Sequence, residues 1–392
     1  MSSLPRTRIS ASCTTSTGMP CWCGSRQETD MLDEQNFKHV LVYGARLAGQ
    51  RVQAYLADRD VRVSAFLDRD ASLDQVDGIP VASAQDWAVS HDPASACVII
   101  GLFNNYVDVG EVVAQLQQLG YGRVVSLVEF VRHFPEGQPF RYWLVDPRYY
   151  EANADRIAHL RENLADETSR ELLDRIVDFR ISGDYSRLPA PSPRQYFPED
   201  LPTWPQPLRF IDCGAYTGDT VEEMRAAGLI FEAVATFEPN LENYAVLVKS
   251  QGNLNAVNFP CGVSDGNRQV GFDGALGAGG HLVESGGETV TCVRLDDALP
   301  GFAPTLIKMD IEGEEPAALE GALQLLRQYR PNLAVSIYHR AEHLWSIFEQ
   351  IDGYGLGYRF FLRCHAHSSF DTVLYAVAPN DFERCNGVAT HA

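Results

Sequence analysis

Long apolar runs are missing from this chain of 392 residues. Its hydrophobic stretches, such as Ala96 to Ile100, fall far short of the roughly 20 residues a membrane-spanning helix needs. Basic residues are scarce as well: 32 Lys and Arg stand against 52 Asp and Glu, for a formal charge of −20. That balance argues against a nucleic-acid backbone, which is gripped by clustered Lys and Arg, and against an anionic membrane surface. A disulfide framework is also absent, since the nine cysteines are odd in number and scattered. Cys97, Cys213 and Cys292 fall in strand-like runs, where buried thiols are common and inert. Residues 1–30 lack the apolar centre of a signal peptide, so a reducing cytoplasm is the expected compartment.

What is present suits a soluble protein of two α/β domains. Hydrophobic residues make up 45% and charged residues 21%, and the length allows two cores. Residues 1–36 are rich in Ser, Thr and Arg, without periodicity. They read as a disordered extension or as an over-extended start, with Met31 the alternative. Their Cys13, Cys21 and Cys23 have no partnering pair at metal-ligand spacing.

Residues 37–140 read as a smaller Rossmann-like domain. A strand Val40–Tyr43 runs into Gly44-Ala45-Arg46-Leu47-Ala48-Gly49, and the next strand, Val61 to Leu67, ends at Asp68. The pattern resembles a dinucleotide fingerprint in the N-terminal domains of some sugar-modifying enzymes. Arg46 occupies its middle glycine position and would crowd a pyrophosphate. Both a nucleotide or nucleotide-sugar site and an interaction-only module stay open there. Ala96–Ile100 and Val124–Leu127 read as further strands, with a helix from Val109 to Leu119 between them.

Residues 141–207 read as a connection: a helical hairpin from Tyr149 to Arg180, then a stiff segment with seven prolines between 189 and 207. From 208 to 380 strands and helices alternate as in a doubly wound sheet, and 381–392 form a tail. The region opens with the strand Leu208 to Asp212 and the turn Cys213-Gly214-Ala215-Tyr216, closed by Gly218. A helix then starts at Asp219-Thr220, and a second strand ends in Glu238-Pro239-Asn240. Glycines let a backbone approach a ligand, a helix N-terminus offers free N–H groups, and an acid at the second strand's tip can accept ribose hydroxyls.

D-C-G-A-x-T-G-D-T followed by F-E-P-N resembles the S-adenosylmethionine (SAM) site of class I methyltransferases, in particular the FkbM family. A second block, Lys308-Met309-Asp310-Ile311-Glu312-Gly313-Glu314-Glu315, resembles that family's signature. The resemblance runs from about Tyr149 to Ala378 and implies a seven-stranded methyltransferase sheet that binds SAM. Asp212 through Tyr216, Gly218 through Thr220 and Glu238 through Asn240 would then hold the cofactor. Ser264 and Asp265 would sit beside the adenine, Asp265 as acceptor for its amine.

Asp310 and Glu312 precede a helix at the carboxyl end of a strand, the edge where such sheets bind ligands. The strand Leu333 to His339 should bring His339 to the same crevice, as proton acceptor with Asp310 or Glu312 orienting it. A divalent cation held by Asp310, Glu312 and His339 ranks below this metal-free mechanism. The closing strands, Tyr358 to Arg363 and Asp371 to Val377, put Arg363, His365 and His367 in a turn where they could line an acceptor pocket. The tract 274–287, with six glycines and His281, is expected to be a flap or a plain loop.

The expected activity is SAM-dependent O-methyl transfer to a hydroxyl of a sugar, glycan or natural product. The alternative is a catalytically silent SAM-binding or scaffold module in a glycan assembly system.

Overall fold

The computed structural model describes residues 37–379, apart from 71, 138–139, 274–280 and 284–287. The extension at 1–36, with its cysteines, and the tail from 381 lie outside the described residues.

The first half builds β1 (His39–Tyr43), α1 (Leu47–Ala57), β2 (Val63–Leu67), β3 (Gln75–Val76), β4 (Ile79–Ala82), α2 (Ala84–Ser90), β5 (Ala96–Ile100), α3 (Val109–Gln118), β6 (Arg123–Val125) and α4 (Leu127–His133). These make a six-stranded sheet of order β3-β4-β2-β1-β5-β6, parallel except where β3 meets β4. β1 and β5 are covered on both faces, which is why they read as unbroken apolar runs. The expected strand at 124–127 is shorter. Ser126 accepts the Glu129 N–H and caps α4, so Leu127 is already helical.

The glycine turn of this sheet is closed on itself. A Cβ at Gly49 would stand 1.8 Å from the Gly44 carbonyl oxygen, so glycine there lets α1 lie against β1. The Asp68 carboxylate accepts the Ala45 N–H at 2.7 Å and the Asp70 N–H at 2.9 Å.

The connection folds as α5 (Arg148–Ala152), α6 (Ala154–Asn163) and α7 (Glu167–Ser182), three helices where the periodicity suggested a two-helix hairpin. Asn153 breaks the first pair, and Asp166 caps α7 by accepting the Ser169 N–H at 2.8 Å.

The second half comprises β7 (Leu208–Cys213), α8 (Asp219–Ala226), β8 (Phe231–Phe237), α9 (Leu241–Ser250), β9 (Ala256–Phe259), β10 (Gly262–Val263), β11 (Arg268–Asp273), β12 (His281–Val283), β13 (Glu288–Val293), α10 (Leu295–Ala298), β14 (Leu306–Met309), α11 (Glu315–Gly321), α12 (Leu323–Tyr329), β15 (Asn332–Ser336), α13 (His343–Gly353), β16 (Arg359–Cys364) and β17 (Thr372–Val377). Its main sheet has seven strands in the order β16-β17-β15-β14-β7-β8-β9. All pair parallel except β17, which is antiparallel to both neighbours. This is the expected α/β architecture: a seven-stranded methyltransferase sheet beside a smaller Rossmann-like one. The chain order reverses between β14 and β8 on either side of β7, so the carboxyl end of β7 is the point where a crevice opens.

A small sheet of order β10-β13-β11-β12 lies beside it. Here the glycine-rich tract departs from expectation, because His281–Val283 pairs antiparallel with Gly271–Asp273 as a strand. The rest of that tract falls outside the described residues.

The two large sheets share one apolar cluster. Phe103 after β5 meets Phe370 at 4.9 Å and Trp143 at 5.4 Å between ring centroids, and Tyr338 belongs to the same cluster. The first sheet thereby covers the crevice of the second.

Candidate active site

At the end of β7 the chain turns through Gly214 with φ +80°. A Cβ there would stand 2.0 Å from the Asp310 carbonyl oxygen, so only glycine fits both the backbone and the space. Asp212, expected among the cofactor-binding residues, is instead fully buried beneath this turn. Its carboxylate lies 3.0 Å from the Lys308 Nζ, which also donates to the Gly214 carbonyl at 2.6 Å. Burial pushes the Asp212 carboxyl up to about 6, against the pull of the Lys308 ammonium. Burial likewise opposes the Lys308 charge, but Asp212 and Asp310 more than offset it and its pKa rises. Asp212 shapes the turn from below, and so do the buried Cys213 and Ala215.

Gly214, Tyr216, Asp219, Thr220, Glu238 and Pro239 do line one cleft, of about 440 Å³. Gly218, with φ +91°, caps α8 and presents its N-terminus there. Glu238 is the focus of this side. One oxygen accepts the Tyr216 N–H at 2.9 Å and the other the Asn240 N–H at 2.9 Å. Burial raises its pKa in spite of these donors. Asn240 itself caps α9, its side chain accepting the Glu242 and Asn243 N–H groups at 3.0 Å. Asn243 reaches the cleft, one helical step further than the sequence pattern pointed.

Ser264 and Asp265, expected beside the adenine, are not among the residues that line the cleft. Asp265 is half exposed and paired with Arg268, while Ser264 is buried and donates to Glu314 at 3.2 Å. The preceding strand β10 supplies the wall instead, through Gly262 and Val263.

Beyond β14 the acid-rich block splits by position. Asp310, Glu312 and Glu314 line the cleft, whereas Glu315 is fully buried at the start of α11. Asp310 accepts from the Tyr196 hydroxyl at 2.8 Å. Glu312 sits in left-handed backbone, φ 57°, beside Gly313 at φ 109°. Burial, joined by the charges of Asp310 and Glu315, pushes its carboxyl up to about 7.

His339 is brought to the same edge, but not as a free base. Its Nδ1 lies 2.7 Å from Glu315 Oε1, and its Nε2 lies 3.3 Å from Asp310 and 3.7 Å from Glu312. Burial opposes a charge on the ring, yet the three carboxylates outweigh it and push the imidazole up to about 10. To act as the expected proton acceptor His339 would have to be neutral, and these carboxylates favour its charged form.

The third wall was not legible. Phe103, Asn104 and Asn105 come from the first sheet, and Tyr142, Gln195 and Tyr196 from the connection. Tyr338, Phe370 and Asp371 complete it. Asp371 is in left-handed backbone, φ 48°. Burial and the Asp310 charge push its carboxyl up to about 6. Arg363 and His365, by contrast, turn away from the cleft. Arg363 pairs with Asp166 at 2.8 Å and Asp200 at 2.7 Å, and His365 bridges the Ser192 carbonyl and the Tyr375 hydroxyl. His367 meets the first sheet, its backbone N–H donating to the Asn105 carbonyl at 3.1 Å.

Among solved structures, a methyltransferase FkbM from Methylobacillus flagellatus KT is similar to this chain, with a TM-score of 0.73 and 24% identity. The match covers 87% of this chain and 90% of that one, and so spans both large sheets. A fibrillarin from Aeropyrum pernix, crystallised with natively bound SAM, is far more distant, with a TM-score of 0.30, 11% identity and coverage of 46% and 70%. No curated protein matches the chain. A family model for the methyltransferase FkbM domain matches residues 212–360, from the turn acid Asp212 to β16. Residues 212–360 are thus matched by the methyltransferase FkbM domain, which supports a methyl-transfer function.

Proposed function

We propose that this chain is a SAM-dependent O-methyltransferase acting on a hydroxyl of a sugar or a similarly polyhydroxylated acceptor. The observation that carries the reading is Glu238, whose two oxygens are each pinned by a backbone N–H at the cleft beside Gly214. So held, they keep lone pairs for two vicinal hydroxyls of a ribose, while Gly214 leaves the close approach a Cβ would fill. Pro239, Asn243, Gly262 and Val263 would flank the adenine, and Tyr216, Asp219 and Thr220 the amino-acid end. When bound, SAM supplies a sulfonium methyl group open to in-line displacement.

The rest of the work falls to the chain. Phe103, Tyr142, Tyr338 and Phe370 offer ring faces, and Asn104, Asn105 and Gln195 offer amides, a mixture suited to a sugar ring and its hydroxyls. Closing both reactants in one cleft orients the acceptor oxygen, an effect worth up to about 7–11 kcal/mol in well-oriented systems. With cofactor and acceptor in place, Asp371 would take the hydroxyl proton as that oxygen gains the methyl group and the sulfur gives it up. Its carboxyl, held at about 6, suits a base near neutrality. Methyl ether and S-adenosylhomocysteine leave, and the proton passes to solvent.

The test is S-adenosylhomocysteine release against a panel of sugars and hydroxylated metabolites, with product mass read in parallel. Turnover with a methylated hydroxyl is expected. SAM binding without turnover on any member would favour a silent SAM-binding module.

A further inference from the structure

The charge of the cleft is lopsided. Asp219, Glu238, Asp310, Glu312, Glu314 and Asp371 line it, and Lys308 is the only basic residue among the described ones that do. That ammonium is already committed to Asp212 and the Gly214 carbonyl. Arg141 and Arg340 line an adjoining pocket that shares Tyr142, Glu312 and Glu314 with the cleft, not the cleft itself. SAM brings one net positive charge, and the imidazole of His339, buried against Asp310, Glu312 and Glu315, brings one more when protonated. Carboxylates still outnumber cations with both counted. Acids alone specify no ligand, but the rings beside them do.

Phe370 is the hub of a ring-walled corner. Its centroid lies 4.9 Å from that of Phe103, 5.5 Å from Tyr142 and 5.8 Å from Tyr338, and all four rings line the cleft. Carboxylates edge this corner. The Tyr338 hydroxyl donates to Asp310 at 3.5 Å, and Asp371 follows Phe370 in the chain. Glu312 lines the same cleft, and its Oε2 is buried without a hydrogen-bond partner. Electron-rich ring faces bounded by anionic oxygens hold an ammonium group well, because each face attracts a cation through its quadrupole. A neutral hydroxyl gains little from this pairing, and a phosphate or carboxylate is repelled by the acids.

We infer that the methyl acceptor is an amino polyol, an amino sugar or aminocyclitol. Its protonated amine occupies the corner of Phe103, Tyr142, Tyr338 and Phe370 against Asp310 and Glu312, and its hydroxyl is presented to Asp371. The inference rests on the O-methyl transfer reading and narrows its acceptor. Burial and the Asp310 charge already hold Glu312 and Asp371 above the usual carboxylate range, a penalty that a bound cation relieves. The same contacts select the atom that is methylated. An ammonium nitrogen has no lone pair with which to attack the methyl group, so the oxygen attacks and the amine stays unmodified.

The experiment titrates small polyols into the full chain at neutral pH, with S-adenosylhomocysteine present, and reads binding by ligand-observed nuclear magnetic resonance. Glucosamine, galactosamine and 2-deoxystreptamine are the probes, and glucose, N-acetylglucosamine and glucose 6-phosphate the comparisons. At least one amine is expected to bind roughly tenfold or more tighter than glucose and N-acetylglucosamine, the worth of one charge-assisted hydrogen bond, with glucose 6-phosphate the weakest. Added salt should narrow the gap. Glu312→Gln should remove most of the preference, and Phe370→Leu, which keeps bulk without a ring, should cut it about threefold. Circular dichroism checks that each variant is folded. With SAM in place of its product, the bound amine should gain its methyl group on oxygen. No amine binding, amines no tighter than neutral sugars, a preference that survives both substitutions, or a methyl group on nitrogen overturns the inference. Turnover of neutral sugars alone would leave O-methyl transfer standing without it, whereas a chain that binds no SAM fails the earlier reading instead.

Discussion

Asp371 beside β17 and Asn105 of the first sheet face each other across 3.4 Å, Asn105 Nδ2 donating to Asp371 Oδ2. The contact links residues 266 positions apart and brings the loop after β5 to the cleft that Glu238 also lines. Asn105→Ala should therefore raise the acceptor KM by about 3–10-fold, the loss of one modest hydrogen bond, and leave SAM affinity unchanged. Steady-state kinetics with SAM varied and acceptor saturating, and then the reverse, separates the two. An equal loss of SAM affinity would count against an acceptor role for this loop.

Asp371→Asn removes the proposed proton acceptor but keeps shape and hydrogen bonding. A fall in kcat of about 10²–10⁴-fold is expected, with SAM binding intact. A change of less than about threefold would move the base elsewhere in the cleft.

Gly214→Ala tests the turn. The new methyl carbon would meet the Asp310 carbonyl oxygen at 2.0 Å in backbone with φ +80°. Either β14 shifts away from β7 or the turn opens, and SAM affinity should fall at least tenfold in either case. Calorimetry reads the affinity, and circular dichroism establishes that the sheet survives.

His365 gives the chain an acid-sensitive joint. Burial lowers its pKa to about 4, and its ring bridges the Ser192 carbonyl at 2.8 Å and the Tyr375 hydroxyl at 2.7 Å. Between pH 4 and about 6.5 the unfolded chain binds a proton that the folded one refuses, so stability must rise with pH across that window. The shift corresponds to roughly 3 kcal/mol at full extent, complete above about pH 6.5 and lost as pH falls toward 4. His365→Gln should flatten this part of the profile in urea unfolding. The same slope in parent and variant would contradict the assignment.

Much of the frame was legible because it is local. The run Leu208–Cys213, the glycine turn and the tip Glu238 lie within one βαβ unit, where apolar periodicity and turn chemistry both act at short range. Asp310 and Glu312 were legible for the same reason, as acids placed between a strand and a helix. What the sequence hid is set by long-range packing. Nothing near Phe103 or Asn105 indicates that they meet Phe370 and Asp371, because that depends on how the two sheets dock. Nor does the pattern say that Glu315, rather than Asp310 or Glu312, accepts the hydrogen bond of His339 Nδ1. Nor does it say that Asp265 pairs with Arg268 while Gly262 and Val263, just before it, line the cleft.

The most direct test of the account is calorimetric titration of S-adenosylhomocysteine and of SAM into the parent chain and into Glu238→Ala. The account predicts one equivalent of each bound by the parent, and affinity at least tenfold weaker in the variant as two ribose hydrogen bonds to a charged acceptor are lost. No heat from the parent with either molecule, or equal affinity in parent and Glu238→Ala, would contradict it.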